Sequence, residues 1–384
     1  MLYHLSSVPI WLRENGHEGF ADALSFFRVF EYVTFRAAGA AVTALMFSIL
    51  FGPRFIRWLR SLKVQQEYED RAREIGSITG DGVSKRGVPT MGGLLIVIAL
   101  DLSALLWAQC NLQVTLTLVS VIVLALLGFY DDYSKIVQQE STGLTERIKL
   151  VVQTALALSI GLFLWRMPET TKLITDVMVP FYKQPLLLGA GLVGLFITVM
   201  AIVGSSNAVN LTDGLDGLAV GSTVMVSFVL LVFTYIAGHA KYAMHLNMPF
   251  ISGAGELSVV CAALIGASLG FLWFNCHPAQ VFMGDTGALA LGGALGIIAV
   301  LIHQPFILVI AGGVFVLEAG SVLLQRSWFK YTRHMTGTGQ RLFLMAPLHH
   351  HFQKKSWHEN QVVIRFYILG ILFAVMALAT LKLR

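Results

Sequence analysis

VTLTLVSVIVLALLGFYDDYSK, residues 114–135, runs from Val114 to Tyr130 without a charge and then places two carboxylates, Asp131 and Asp132, ahead of a lysine. Hydrocarbon offers the backbone no hydrogen-bond partner, so only helices or closed barrels cross it, and an apolar run of this length without alternation reads as a helix. The same texture fills the chain. Hydrophobic residues make up 56% of the 384 and charged residues 13%, against about a quarter charged in soluble domains. The sequence therefore predicts a single all-α polytopic membrane domain over 1–384.

Windows of about 19 residues place ten transmembrane helices near 30–51, 90–109, 114–130, 147–165, 186–205, 217–237, 256–274, 284–302, 306–326 and 361–381. The first follows the polar segment WLRENGHEGF (11–20), which lacks the basic start and short apolar middle of a cleavable signal, and is read as retained. The outer segment 167–185, with β-branched residues and prolines, has room for a short hairpin. Cys110, Cys261 and Cys276 form no CxxC spacing, which supports neither a disulfide framework nor a thiolate zinc site.

Lysine and arginine set the orientation. The odd-numbered loops carry 17 of them and the even-numbered loops four, namely Arg166, Lys172, Lys183 and Lys241. The positive-inside bias makes the odd loops cytoplasmic and sends both termini outward. The formal charge of +5 is then mainly a topology signal, and a nucleic-acid partner is not indicated.

With that topology the Asp131–Asp132 pair shares one face with NAVNLTDGLDG (207–217), FNCHPAQVFMGDTG (274–287) and PLHHHFQKKSWHENQ (347–361). The second and third of these four clusters contain no lysine or arginine, so their aspartates lack local partners and a cation is expected among them. Oxygen-only ligands suit Mg²⁺ with substrate phosphates. Zinc suits poorly, because three consecutive histidines cannot turn their rings to one ion from a helix. Alone, each cluster has a plainer reading: a solvated helix end, a basic turn, a glycine turn. No segment matches the G-x-x-x-x-G-K-[ST] nucleotide loop. Asp101 and Glu318 fall inside predicted spans, where charge is costly, and are read as interhelical hydrogen-bonding residues.

VPTMGGL (88–94), GFYDDYSK (128–135), NAVNLTDGLDGLA (207–219), FNCHPAQVFMGDTGALALGG (274–293) and PLHHHFQKKSWHENQVVIRFYI (347–368) recur in the order of, and closely resemble, the phospho-N-acetylmuramoyl-pentapeptide-transferase family. The Asp-Asp and GD elements are shared across the wider polyprenyl-phosphate N-acetylhexosamine-1-phosphate transferase superfamily; the HHH loop is the narrower mark. The resemblance implies a bacterial inner-membrane enzyme that moves phospho-MurNAc-pentapeptide from UDP to undecaprenyl phosphate, giving lipid I and UMP with Mg²⁺, and leaves a homodimer open. It implies a catalytic centre of Asp131, Asp132, Asp285 and His349, with Asp285 the magnesium ligand. Lys85, Asn210, Asp213, Asp216, Asn275, Phe282 and His350 would bind substrate. Ala288 after GDTG and the segment 1–20 depart from the family pattern without touching these roles.

Two chemical routes fit these residues: direct attack by a lipid phosphate deprotonated by an aspartate, or a covalent phosphosugar–aspartate intermediate. Two other functions compete. A transporter or flippase would place its broken helices and charges near the midplane, whereas here they gather at one face. A related UDP-GlcNAc transferase differs only in donor.

Overall fold

The computed structural model describes residues 1–62, 87–138 and 143–383. The helices that frame the molecule are α1 (Val33–Ser61), α2 (Gly93–Trp107), α3 (Leu112–Gln138), α4 (Glu146–Arg166), α5 (Gly191–Thr212), α6 (Leu218–Ala237), α7 (Glu256–Asn275), α8 (Gly284–Leu301), α9 (Pro305–Ala311), α10 (Gly313–Thr336), α11 (Leu348–Lys354) and α12 (Glu359–Ala379). Short helical turns precede α1 and decorate the α4–α5 and α6–α7 connections. No strand occurs among the described residues. The 167–185 region holds a five-residue helix and one antiparallel bridge, Val177 to Leu187, in place of a hairpin.

Every predicted span is helical, and two differ in form. Among the described residues eight helices are long and apolar enough to cross a bilayer. The predicted 90–109 span is α2, only 15 residues, or about 22 Å against a hydrocarbon core of roughly 30 Å. The predicted 306–326 span is the pair α9 and α10, bent by 85°. Gly312 and Gly313 stand at the break, where the weak helix propensity of glycine makes interruption cheap.

The bundle is organised around α8, whose apolar window is 89% buried and which packs between α3 and α5. A second close pair, α1 on α7, is built on small side chains: Ala40, Ala44, Ser48 and Gly52 recur every four residues and are all buried. With lipid outside and no hydrophobic gain between helices, such stripes let backbones approach and dispersion contacts accumulate. The outward faces are apolar, as a bilayer demands. Leu192, Phe196 and Met200 on α5 and Ile364, Ile368 and Leu372 on α12 are exposed at four-residue spacing.

At the end where α1 and α7 begin, Arg36 and Glu256 form a buried bidentate pair (2.5 and 2.6 Å). Glu256 also accepts the Gln109 N–H at 2.8 Å, and the Tyr3 ring lies 4.9 Å from the guanidinium. The bidentate geometry and the Gln109 contact make this pair tolerable in a low-dielectric setting, with the Arg36 Nε left without a partner among the described residues. Asp101, by contrast, does not act as the interhelical hydrogen-bonding residue its position suggested: its buried Oδ1 has no partner among the described residues.

Candidate active site

The acidic cluster forms where α3 ends against the start of α8. Gly128 lets the two meet, since a Cβ there would collide with the Asp285 carbonyl. Asp132 then reaches across. Its Oδ1 accepts the Asp285 N–H (3.1 Å), and its Oδ2 accepts the Thr286 N–H (3.0 Å) and hydroxyl (2.7 Å). Met283, at the N-cap position of α8, supplies no side-chain cap. Asp132 caps that terminus from another helix, meeting orphan N–H groups with the charge the helix dipole favours.

Asp131 faces elsewhere, as the roughly 100° step between helical neighbours requires. Its Oδ1 accepts the Leu144 N–H at 2.7 Å, and its Oδ2 takes Lys135 Nζ at 2.6 Å and Lys149 Nζ at 2.7 Å. Both ammonium groups also reach Asp285 Oδ2, at 3.1 and 2.7 Å. Asn210 Nδ2 donates to Asp285 Oδ1 at 2.7 Å. The acidic loops themselves supply no cation, and those that reach Asp285 arrive from α3 and α4. Lys135 stands one helical turn from Asp131 and was legible by its i, i+4 spacing. Lys149 carried no such signal. One turn further along α4, Gln153 donates to Ser206 Oγ (3.0 Å) and accepts from Asn207 (2.7 Å) on α5, fixing the face of α4 that presents Lys149.

Asp213, at the end of α5, is pushed up to about 8, first by burial, then by the negative charges of Asp285, Asp132 and Asp216, against a hydrogen bond from the Gly284 backbone. Asp216 pairs with His277 Nδ1 (3.0 Å) and accepts the Ala279 N–H (3.2 Å), while its own N–H donates to Glu359 (2.9 Å). This clasp joins three of the four polar segments. Neither His277 nor Glu359 was singled out from sequence. Asn275 is buried and bonds the Gly217 N–H (3.1 Å) and the Val281 carbonyl (2.9 Å). Phe282 is half-buried on the strip hydrogen-bonded to Pro89 and Gly92. Lys85 lies outside the described residues.

The three histidines take different Nδ1 partners, with the His349 and His350 ring centroids 4.1 Å apart. His349 Nδ1 meets Glu318 Oε2 at 3.0 Å, His350 Nδ1 meets Gln353 Oε1 at 2.8 Å, and His351 Nδ1 accepts the Leu344 N–H at 3.1 Å. His349 abuts the NLTDG turn, where a Cβ on Gly214 would collide with its Nε2. Glu318 thus does hydrogen-bond between elements, as its position in a span suggested, but to a residue of the site.

Oxygens of Asp131, Asp132 and Asp285 lie within 4.8 Å of one another. An all-oxygen anionic set fits a hard divalent cation, and two ammonium groups already bridge Asp131 to Asp285, which marks that gap as one that cations fill. The set fits a hard divalent cation such as Mg²⁺.

Residues 114–303 match the family model Glycosyl transferase family 4. A phospho-N-acetylmuramoyl-pentapeptide-transferase of Methylacidiphilum infernorum is 46% identical over 368 residues, covering 95% of this chain and 98% of the relative. The protein of that name in Desulfotalea psychrophila is 48% identical and covers 100% of both chains, so the segment 1–20, unmatched in the sequence reading, does have a counterpart. One from Neisseria meningitidis serogroup C is 46% identical, covering 95% and 98%. The converged aspartates, the HHH turn beside them and this near full-length likeness assign the chain to the phospho-N-acetylmuramoyl-pentapeptide-transferase family.

Proposed function

We propose that this multi-pass membrane protein transfers phospho-MurNAc-pentapeptide from its UDP carrier to undecaprenyl phosphate, releasing UMP and forming lipid I. The observation that carries this reading is the gathering of Asp131, Asp132, Asp285, Lys135 and Lys149 at one end of an apolar bundle. A water-soluble diphosphate and a lipid phosphate can react only where hydrocarbon meets water. The charge bias favours the cytoplasmic side for that end, and the family resemblance favours a bacterial inner membrane with both termini periplasmic. A carrier would hold its charges near the midplane.

The chain's own residues divide the work. Lys135 and Lys149 exchange a carboxylate partner for diphosphate oxygens and hold the donor in line with the acceptor. Asp131, on the lysine side, takes the acceptor proton. Asp132 is committed to the α8 cap and holds Asp285 in place. Mg²⁺, held by Asp285, supplies charge neutralisation of the diphosphate and of the departing UMP. Asn210 orients Asp285, and Asp213, Asp216, Asn275, Phe282 and His350, with Lys85, shape the nucleotide and sugar-phosphate region.

The test is a donor comparison in detergent with undecaprenyl phosphate as acceptor. UDP-MurNAc-pentapeptide should release UMP and UDP-GlcNAc should not. Equal turnover of UDP-GlcNAc would move the assignment to the related transferase, and no turnover of either would remove the enzymatic reading.

A further inference from the structure

Glu318, Gln325 and Thr332 follow one another on α10 at seven-residue spacing, so their side chains share one stripe of the helix. Each binds the backbone of the segment that comes back alongside. Thr332 Oγ1 accepts the Gln340 N–H at 2.9 Å. Gln325 Oε1 accepts the Leu342 and Phe343 N–H groups at 3.0 and 2.9 Å, and its amide donates to the Phe343 carbonyl at 3.1 Å. Glu318 accepts the His349 N–H at 3.2 Å. The segment therefore runs antiparallel along α10 and delivers His349 beside a glutamate that is fully buried.

Glu318 makes a second contact with the same residue, its Oε2 lying 3.0 Å from His349 Nδ1. A carboxylate only accepts, so Nδ1 carries a proton, and a second proton on the partnerless Nε2 would be a buried orphan donor, which leaves Nε2 its lone pair. That Nε2 is buried, has no partner among the described residues, and faces Gly214 in the NLTDG turn, next to Asp213. A tie meant only to hold the loop needs the backbone contact alone. The ring contact selects a tautomer.

We infer that Glu318 is a positioning residue, which fixes His349 with its proton on Nδ1 and its Nε2 lone pair toward the Asp213–Gly214 turn. This rests on the proposed function and on the catalytic place that the family resemblance gives His349. Glu318→Gln separates the two readings, because an amide has one oxygen for two contacts. The His349 backbone N–H can only be met by that oxygen, so the NH₂ falls opposite Nδ1 and forces the proton onto Nε2. Shape and the loop tie survive while the tautomer inverts. Swapping a carboxylate for an amide behind a catalytic histidine costs up to about 10⁴-fold in turnover with geometry intact.

The experiment measures kcat, donor KM and thermal midpoint for wild type, Glu318→Gln, His349→Asn and the double variant, with UDP-MurNAc-pentapeptide and undecaprenyl phosphate. E318Q should lose about 10²-fold or more in kcat while donor KM stays within about threefold, and it should cost nothing further in the H349N background. An E318Q enzyme within about threefold of wild-type kcat, or one equally harmful with and without His349, overturns the inference while leaving the proposed function standing. H349N at full rate overturns it too. An inert wild type removes the functional reading and this inference together. If E318Q does not purify folded, Glu318→Asp, which keeps the charge and withdraws it by one methylene, must show the same kcat loss and the same dependence on His349.

Discussion

Asp131 and Asp132 are neighbours with different duties, and substituting asparagine at each should separate them. Asp132 accepts three hydrogen bonds, from the Asp285 N–H on one oxygen and from the Thr286 N–H and hydroxyl on the other. An asparagine has one oxygen, and its best placement keeps both Thr286 contacts and turns an NH₂ against the Asp285 N–H. A buried donor left unmatched costs about 1–3 kcal/mol. For a chain of this size that is a fall in apparent thermal midpoint on the order of 1 to 4 °C. The lost contact is on the backbone of the proposed metal ligand, and misplacement by about 1 Å costs about 10²-fold in rate. Asp132→Asn should thus lose stability and turnover together. At Asp131→Asn the oxygen can keep the Leu144 N–H, and the two lysines, partly exposed, still have Asp285. Its stability should change by less than about 1 kcal/mol while turnover falls about 10²-fold or more. Both are read from unfolding midpoints and UMP release in the same detergent. An Asp132→Asn protein with the wild-type midpoint would refute the capping role.

Activity should require magnesium or manganese, and Asp285→Asn should raise the metal concentration needed or abolish turnover in folded protein; full rate in excess chelator refutes this. Asp213 is held protonated up to about 8, so the folded state binds the proton more tightly than the unfolded one and stability falls as pH rises from the ordinary carboxylate range through about 8. The midpoint advantage of Asp213→Asn over wild type should therefore widen between pH 6 and pH 9, and a gap constant with pH counts against it. Native Cys110 and Cys276 are both exposed and lie at opposite ends of the bundle, so a membrane-impermeant thiol reagent applied from the periplasmic side should modify Cys110 and spare Cys276. The reverse pattern would invert the topology.

What the sequence made legible was what period and composition encode. Apolar runs located the spanning helices because each must satisfy its own backbone over a fixed thickness, and left the short α11 unseen. They missed the sharp break at Gly312 because a bent span and a straight one have the same hydropathy. The aspartates were legible because they stand at the ends of those runs, and Lys135 because it lies one turn away. Lys149, His277 and Glu359 were not, since they meet partners on other helices, far off along the chain, and only the packing of α4, α7 and α12 brings them in. Glu318 lay between: its cost inside a span was readable, and so was its seven-residue spacing with Gln325 and Thr332, but not the segment that the stripe binds.

The charge balance of the site explains why an apolar bundle keeps so many ionised groups at one end. Three carboxylates and two ammonium groups leave about one negative charge before any substrate arrives, and every one of them is engaged. Each lysine bridges both carboxylates, so the charges of Asp131, Asp285, Lys135 and Lys149 balance as a unit. A diphosphate and a divalent cation entering together preserve that unit. Phosphate oxygens would take the place of carboxylates on the lysines, and Asp285, released from them, would hold the cation. Neither can enter alone without leaving a buried charge exposed to its own kind. Donor and metal should accordingly bind with positive coupling, each raising the affinity of the other by an equal factor. A calorimetric titration in which the metal affinity is the same with and without the UDP donor would show that the quartet does not open this way.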